Sequence, residues 1–285
     1  MNHPQFGRLS VRIALAALAG ITFNIAAGPA SSATAAEATS KVTLKFDSTT
    51  RKLSGFPATL KGGLVTIALT GGGYGVNLQL ARMTSAHTDA EIQKAVDSED
   101  GPPSWTVLQG GTAGGATLKV TRTATVNLDK GDYFWIMFSD GEELDTNAPW
   151  ARFSVTGAKS AKQPSGGTAI VKTLEYGFDT SGLKAGRNTV TFINGGKEWH
   201  HVIMAKLLPG KTLADFQKAV ATDGPPPVGL LDDAAGASLP VLSGGLTEVA
   251  DLDLKPGTYV FACFMPDRAG KPHVVSGMIK EVKIV

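Results

Sequence analysis

The chain has 285 residues, of which 42% are hydrophobic and 18% are charged, and it contains 34 Gly and 15 Pro. This composition is too apolar for a disordered chain, and its many glycines and prolines favour short strands joined by turns. The formal net charge is only +2. Phosphate binding needs a basic excess, so we expect no nucleic-acid partner.

The first 35 residues have the parts of a secretory signal peptide. Arg8 and Arg12 give a basic start, residues 13–27 form a short apolar core, and Ala33–Ala35 is a small-x-small cleavage site. The apolar core is too short to span a membrane, and no later stretch is long enough to do so. We therefore expect cleavage after Ala35 and a secreted or periplasmic protein. Without the two arginines the remaining chain is formally neutral.

The part of the chain after the predicted cleavage site repeats itself. The segment N-L-Q-L-A-R-M at residues 77–83 matches H-V-I-M-A-K-L at residues 201–207, and each is followed by Q-K-A-V, at residues 93–96 and 217–220. Each copy also carries a late aromatic strand, Y-F-W-I-M-F in the first and Y-V-F-A-C-F in the second. Two tandem copies of one β unit explain these matches better than chance.

The segment G-A-K-S-A-K-Q-P-S-G-G, at residues 157–167, has the composition of a flexible linker. We therefore predict a first domain at residues 36–157, a linker at 158–167 and a second domain at 168–285. Short strands with turns between them are typical of β-sandwiches. The exception is Thr212–Thr222, where Leu213, Phe216 and Val220 fall on one helical face and Thr212 can cap the first turn, which predicts a short helix. Its counterpart in the first copy is Thr88–Val96.

The end of the second copy brings together residue types that bind soft metals. The only cysteine of the chain, Cys263, follows a strand of apolar residues, and His273 and Met278 follow it before a last alternating strand. A further imidazole is available in W-H-H-V-I-M, from His200 or His201. One thiolate, two imidazoles and a weak thioether are the ligands of a mononuclear electron-transfer copper site.

These motifs resemble those of the cupredoxins, the blue copper proteins. The segment P-H-V-V-S-G-M looks like the type 1 copper loop of copper nitrite reductases, and W-H-H-V-I-M is similar to the G-x-P-H-N-V-V-F stretch of plastocyanin-type domains. The resemblance implies an all-β fold of two tandem Greek-key sandwiches, each with a short inserted helix. It also implies one type 1 copper ion, with metal ligands at His200, Cys263, His273 and Met278.

Two points about the ligands follow from the sequence matches. The resemblance favours His200 as the first ligand and places His201 where the family usually has Asn, although His201 stays an alternative. In the first copy, the positions matching His200 and Cys263 are Val76 and Met137. We therefore expect the first domain to hold no copper of this kind.

Two other classes of function are weighed against an electron carrier. An enzyme of this family would need a second copper centre, but after residue 35 the chain has only four histidines, and it shows no hydrolase or phosphate-loop motif. We therefore expect no enzymatic activity and no small-molecule substrate, and the sequence does not identify the redox partner protein. The alternatives are a metal-free interaction or adhesion module and a copper-handling protein.

Overall fold

The computed structural model describes residues 39–47, 49–71, 76–98, 101–115, 121–138, 148–222 and 227–285. The predicted signal peptide, residues 1–35, lies outside these ranges. Neither described helix is long and apolar enough to cross a membrane.

The described part of the first unit consists of short strands. They are β1 Ser40–Asp47, β2 Lys52–Ser54, β3 Thr59–Lys61, β4 Gly63–Gly71, β5 Asn77–Met83, β6 Thr106–Thr112, β7 Gly114–Gly115, β8 Arg122–Leu128, β9 Gly131–Phe138 and β10 Trp150–Thr156.

The second unit repeats this plan. Its strands are β11 Ala169–Leu174, β12 Gly177–Ser181, β13 Gly186–Asn194, β14 His200–Lys206, β15 Ala237–Leu242, β16 Thr247–Leu254, β17 Gly257–Ala262 and β18 Ile279–Ile284. The pairing repeats as well: β1 is antiparallel to β2 and parallel to β4, as β11 is to β12 and β13. The expected fold class, two tandem β-sandwiches, is confirmed.

One short helix interrupts the strands of each unit, as predicted. They are α1 Asp89–Val96 and α2 Leu213–Val220. Thr88 and Thr212 cap them through capping boxes completed by Glu91 and Asp215, which satisfy backbone N–H groups that the first helical turn leaves unpaired.

The two units share both of their sheets, which the sequence did not predict. One sheet runs in the order β12-β11-β13-β16-β8-β4-β1-β2, and the other runs β18-β17-β14-β15-β6-β5-β9-β10-β3 with β7 beside β15. The strands β16 and β8 join the units in the first sheet, and β15 and β6 join them in the second. The interface between the units is therefore a continuation of hydrogen-bonded sheets.

Each unit nevertheless has its own apolar core. The core of the first unit includes Leu44, Ile67 and Tyr133, all inaccessible to solvent. The core of the second unit is built around Phe192 and Phe261. It also contains Cys263 and Met278, so two of the predicted ligands lie inside the packed interior of the second sandwich.

Candidate metal centre

The strand β14 places one histidine inside the second sandwich and its neighbour on the other face. Side chains alternate along a strand, and His200, Val202 and Met204 are all fully buried, whereas His201 is half-buried. His200 therefore points into the core.

Cys263 follows the last residue of β17 and is fully buried. The long segment after it folds back in a tight turn, because the Asp267 carboxylate accepts hydrogen bonds from the backbone N–H groups of Ala269 and Lys271, at 2.8 and 2.9 Å. The N–H of His273 then donates to the carbonyl of Met265 at 2.9 Å. This segment is thus a closed loop that returns His273 to the neighbourhood of Cys263.

A single 3₁₀ turn, His273–Ser276, carries the chain from the second histidine to the methionine. Gly277 ends this turn at a φ of 96°, a left-handed conformation that favours glycine. The N–H of Met278 donates to the carbonyl of His273 at 3.0 Å, and the carbonyl of Met278 accepts from the N–H of Cys263 at 3.3 Å. The fully buried Met278 is thereby held beside the cysteine through the backbone.

Three of the four predicted ligands come together at one point. The Sγ of Cys263 lies 3.8 Å from Nδ1 of His200 and 3.5 Å from Nδ1 of His273, and the two Nδ1 atoms are 3.2 Å apart. Among the residues that the structure describes, this is the one cluster of His, Cys and acidic side chains suited to a metal ion. Met278 lies in the same core, and its role as a fourth ligand stays a prediction.

Burial favours the neutral form of the Cys263 thiol. It raises the pKa of Cys263 to about 12, and hydrogen bonds from the backbone N–H groups of His201 and Met265 offset only part of this effect. The metal-free cysteine is therefore a neutral thiol at pH 7. A bound cation would replace its proton, since a coordinating thiol is deprotonated. The same N–H groups would then hydrogen-bond to the sulfur of the thiolate.

Both histidines of the cluster are also neutral. Burial lowers the pKa of His200 to about 4, an effect increased by His273 and opposed by Glu175. Burial likewise lowers the pKa of His273, against the opposing influence of Glu198. Two neutral imidazoles therefore turn their Nδ1 atoms toward one sulfur.

Two carboxylates lie behind the histidine rings, and the sequence did not single them out. The Oε2 of Glu198 is 2.9 Å from Nε2 of His273, and the Oε1 of Glu175 is 3.9 Å from Nε2 of His200. Glu198 stands two residues before His200, which is the only sequence signal for it. Glu175 comes from the turn between β11 and β12, distant in the sequence.

His201 has a different role. Its Nε2 accepts a hydrogen bond of 2.8 Å from the backbone N–H of Phe264, so it ties β14 to the start of the cysteine loop. Burial lowers the pKa of His201 to about 3, and the ring is therefore a neutral acceptor. The structure places His200 in the cluster and His201 outside it.

Trp199 is partly buried and packs against the core of its own unit as well as against the first unit. It lies against a cluster of that unit that includes Ile92, Phe134 and the half-buried Trp105. Trp199 therefore contributes to the packing between the two units.

The donor set fits a copper ion. Protein nitrogen and sulfur atoms lie about 2.0–2.3 Å from a bound first-row metal ion. Three such donors around one ion are about 3–4 Å from one another, the spacing seen among Cys263, His200 and His273. Soft thiolate together with imidazole favours copper over the hard cations Mg²⁺ and Ca²⁺.

No protein-family model matches the sequence, and no curated protein matches it significantly. Solved structures are similar to it at low identity. An auracyanin from Roseiflexus castenholzii, in its dithionite-reduced form, is 22% identical over 41% of this chain and 94% of its own, with a TM-score of 0.27. A blue copper oxidase from Nitrosomonas europaea is 10% identical over 87% of this chain and 86% of its own, with a TM-score of 0.24. A copper-containing nitrite reductase from Thermus scotoductus is 12% identical over 87% of this chain and 62% of its own, with a TM-score of 0.23.

The resemblance to the cupredoxins that the motifs suggested is confirmed. The chain folds as two all-β units, and it has a buried His–Cys–His group near its C-terminus of the kind that a type 1 copper site requires.

Proposed function

We propose that this protein is an exported one-electron carrier that uses a single copper ion in its second unit. The observation that carries the proposal is the buried cluster of His200, Cys263 and His273, whose ligand atoms all lie within 4.8 Å of one another. Met278 is the weak fourth ligand. Copper bound there supplies a one-electron couple, and the chain's own residues set how easily it changes oxidation state.

The packing of the ligands supports electron transfer. His200 begins a strand, Cys263 follows another, and His273 and Met278 are held by backbone hydrogen bonds in a closed loop. Side chains fixed in this way rearrange little when the charge of the ion changes, so the protein adds little to the barrier. The buried position also keeps water from the ligands.

We also infer that the protein does not reduce nitrite or oxygen, although the solved structures similar to it include enzymes. A second copper centre would need further imidazoles. Of the two remaining histidines in the described ranges, His201 is bonded to the backbone of Phe264. His87 stacks on Trp105 with its ring centroid 3.9 Å away and bonds to Ser85.

Titration of the purified protein with Cu(II) tests the proposal. We expect an intense visible thiolate charge-transfer band that saturates at one copper per chain, and copper that is retained on dialysis. If no band forms and the metal is lost, the electron-carrier proposal is wrong. The fold would then serve as a metal-free interaction module.

Replacing Met278 with Leu should keep the copper and raise the reduction potential. A thioether stabilises the oxidised ion, and leucine fills a similar volume without donating electrons. We expect a rise of about 60 mV or more, which for a one-electron couple is a tenfold shift of the equilibrium. Redox titration of the visible band measures it. Met137→Leu, the same substitution at a fully buried methionine in the core of the first unit, should leave the potential unchanged, and an unchanged potential in Met278→Leu would remove Met278 from the ligand set.

A further inference from the structure

Each histidine of the cluster turns one nitrogen toward the sulfur and the other toward an acidic side chain. For His273 the acidic partner is close: Glu198 Oε2 lies 2.9 Å from Nε2. The ring itself is inaccessible to solvent, whereas the side chain of Glu198 is 21% exposed. The carboxylate therefore stands between the imidazole and the solvent.

The position of Glu198 is fixed by two neighbours. The Tyr176 hydroxyl donates to Glu198 Oε2 at 3.3 Å, and the Tyr176 ring packs on the ring of His273 with centroids 4.9 Å apart. The Glu175 carboxylate accepts hydrogen bonds from the backbone N–H groups of Lys197 and of Glu198 itself. The turn that carries Glu175 and Tyr176 thus clamps the segment that precedes His200.

A neutral imidazole carries one proton, which can be on either nitrogen. Nε2 of His273 makes no well-aligned hydrogen bond, but a carboxylate oxygen 2.9 Å away attracts the positive end of an N–H. It therefore favours the proton on Nε2 and leaves a lone pair on Nδ1. In the cluster, Nδ1 of His273 is the atom that faces Cys263 Sγ and His200 Nδ1. The sulfur and the two Nδ1 atoms therefore face one another in a site that is inaccessible to solvent, and this arrangement favours binding of a cation between them.

We propose that Glu198 is a positioning residue that fixes the tautomer and orientation of His273 for metal binding, with Tyr176 and Glu175 holding Glu198 in place. This deepens the proposed function, because the bound ion is taken to be copper. Partners behind a metal-binding histidine raise the basicity of the ligand, and their loss costs about 10–100-fold in metal affinity. The negative charge of Glu198 also stabilises the oxidised ion relative to the reduced one.

The experiment compares the wild-type protein with Glu198→Ala, Glu198→Gln and the control Glu281→Gln, a carboxylate on β18. Nitrogen-15 NMR of the metal-free proteins reads the tautomer of His273. We expect Nε2–H in the wild type and control, a mixture of tautomers in Glu198→Ala, and largely Nε2–H in Glu198→Gln, because the amide oxygen still presents a partial negative charge to the Nε2–H. Circular dichroism checks that each variant is folded.

The copper readouts use the same four proteins. Competition titration should show Cu(II) affinity about 10–100-fold lower in Glu198→Ala, a smaller loss in Glu198→Gln, and higher reduction potentials in both. The inference is overturned if Glu198→Ala keeps the wild-type tautomer or the wild-type affinity. If the wild type itself binds no copper, the proposed function fails, and the NMR of the metal-free proteins still decides the role of Glu198.

Discussion

Replacing Cys263 with Ser should abolish the visible charge-transfer band and most of the copper binding. A hydroxyl is a harder and far less acidic donor than a thiol, so it gives neither the thiolate transition nor a strong bond to copper. We expect the loss of Cu(II) affinity to exceed the 10–100-fold that removal of an outer partner costs. Absorption spectroscopy and competition titration of the purified variant measure both effects.

The serine variant should remain folded. The backbone N–H groups of His201 and Met265 that hydrogen-bond to the sulfur can donate to a hydroxyl instead. Cys263→Ala is the companion variant, since alanine has no donor atom and fits the buried site. Met137→Leu, at the matching position of the first unit, should keep the full band. A serine or alanine variant that retained the band would show that the colour comes from another site.

The second large effect concerns the junction between the units. Glu248, on β16, is fully buried there. Its Oε2 accepts a hydrogen bond of 2.8 Å from the backbone N–H of Gly111, on β6 of the first unit. Gly110 has no Cβ, and a side chain at that position would collide with the same carboxylate. Burial raises the pKa of Glu248 to about 8, and the Gly111 bond opposes the rise only in part.

The pKa of Glu248 is therefore higher in the folded protein than its ordinary value of 4.5. The folded state binds the proton more tightly than the unfolded state, so this contribution to stability is complete below pH 4.5 and is lost as the pH rises through about 8. Between these values the free energy of unfolding should fall by about 1.4 kcal/mol per pH unit on account of this group.

We expect Glu248→Gln to remove that dependence. Glutamine keeps the shape and an acceptor for the Gly111 N–H, and it does not titrate. The measurement is denaturant unfolding of the metal-free protein from pH 5 to pH 9, with the difference between wild type and variant plotted against pH. The buried histidines act in the opposite direction, since their lowered pKa values reduce stability as the pH falls. They are common to both proteins and cancel in the difference. A difference that did not change with pH would show that Glu248 does not titrate in this window.

Local features of this protein were predictable from its sequence. The helices α1 and α2 begin where Thr88 and Thr212 can cap them, because capping depends on residues three positions apart. The repeat was visible because both copies keep the same strand and helix landmarks. The group of soft ligands was visible because Cys263, His273 and Met278 lie on one short segment.

Other features depend on contacts between distant residues. Adjacent histidines on a strand must face opposite sides, but only the packing of the second sheet shows that His200 is the one that faces inward. Glu175 and Glu198 reach the histidines from separate segments, and carboxylates on turns are common on any protein surface. The sequence also does not reveal the pairing of β16 with β8 and of β15 with β6. The residue pattern of a strand at the edge of a unit is the same whether or not another strand pairs with it.

The repeated β units, their short helices and the types of ligand near the C-terminus are encoded in short stretches of the sequence. The spacing of ligands, the alternation of apolar residues and the capping of helices each involve a few neighbouring residues, so they can be recognised from the sequence alone. The folded chain, by contrast, was needed to show which imidazoles meet the thiol, which carboxylates lie behind them, and how the units share their sheets. These depend on burial and long-range pairing, which exist only once the two units have packed together.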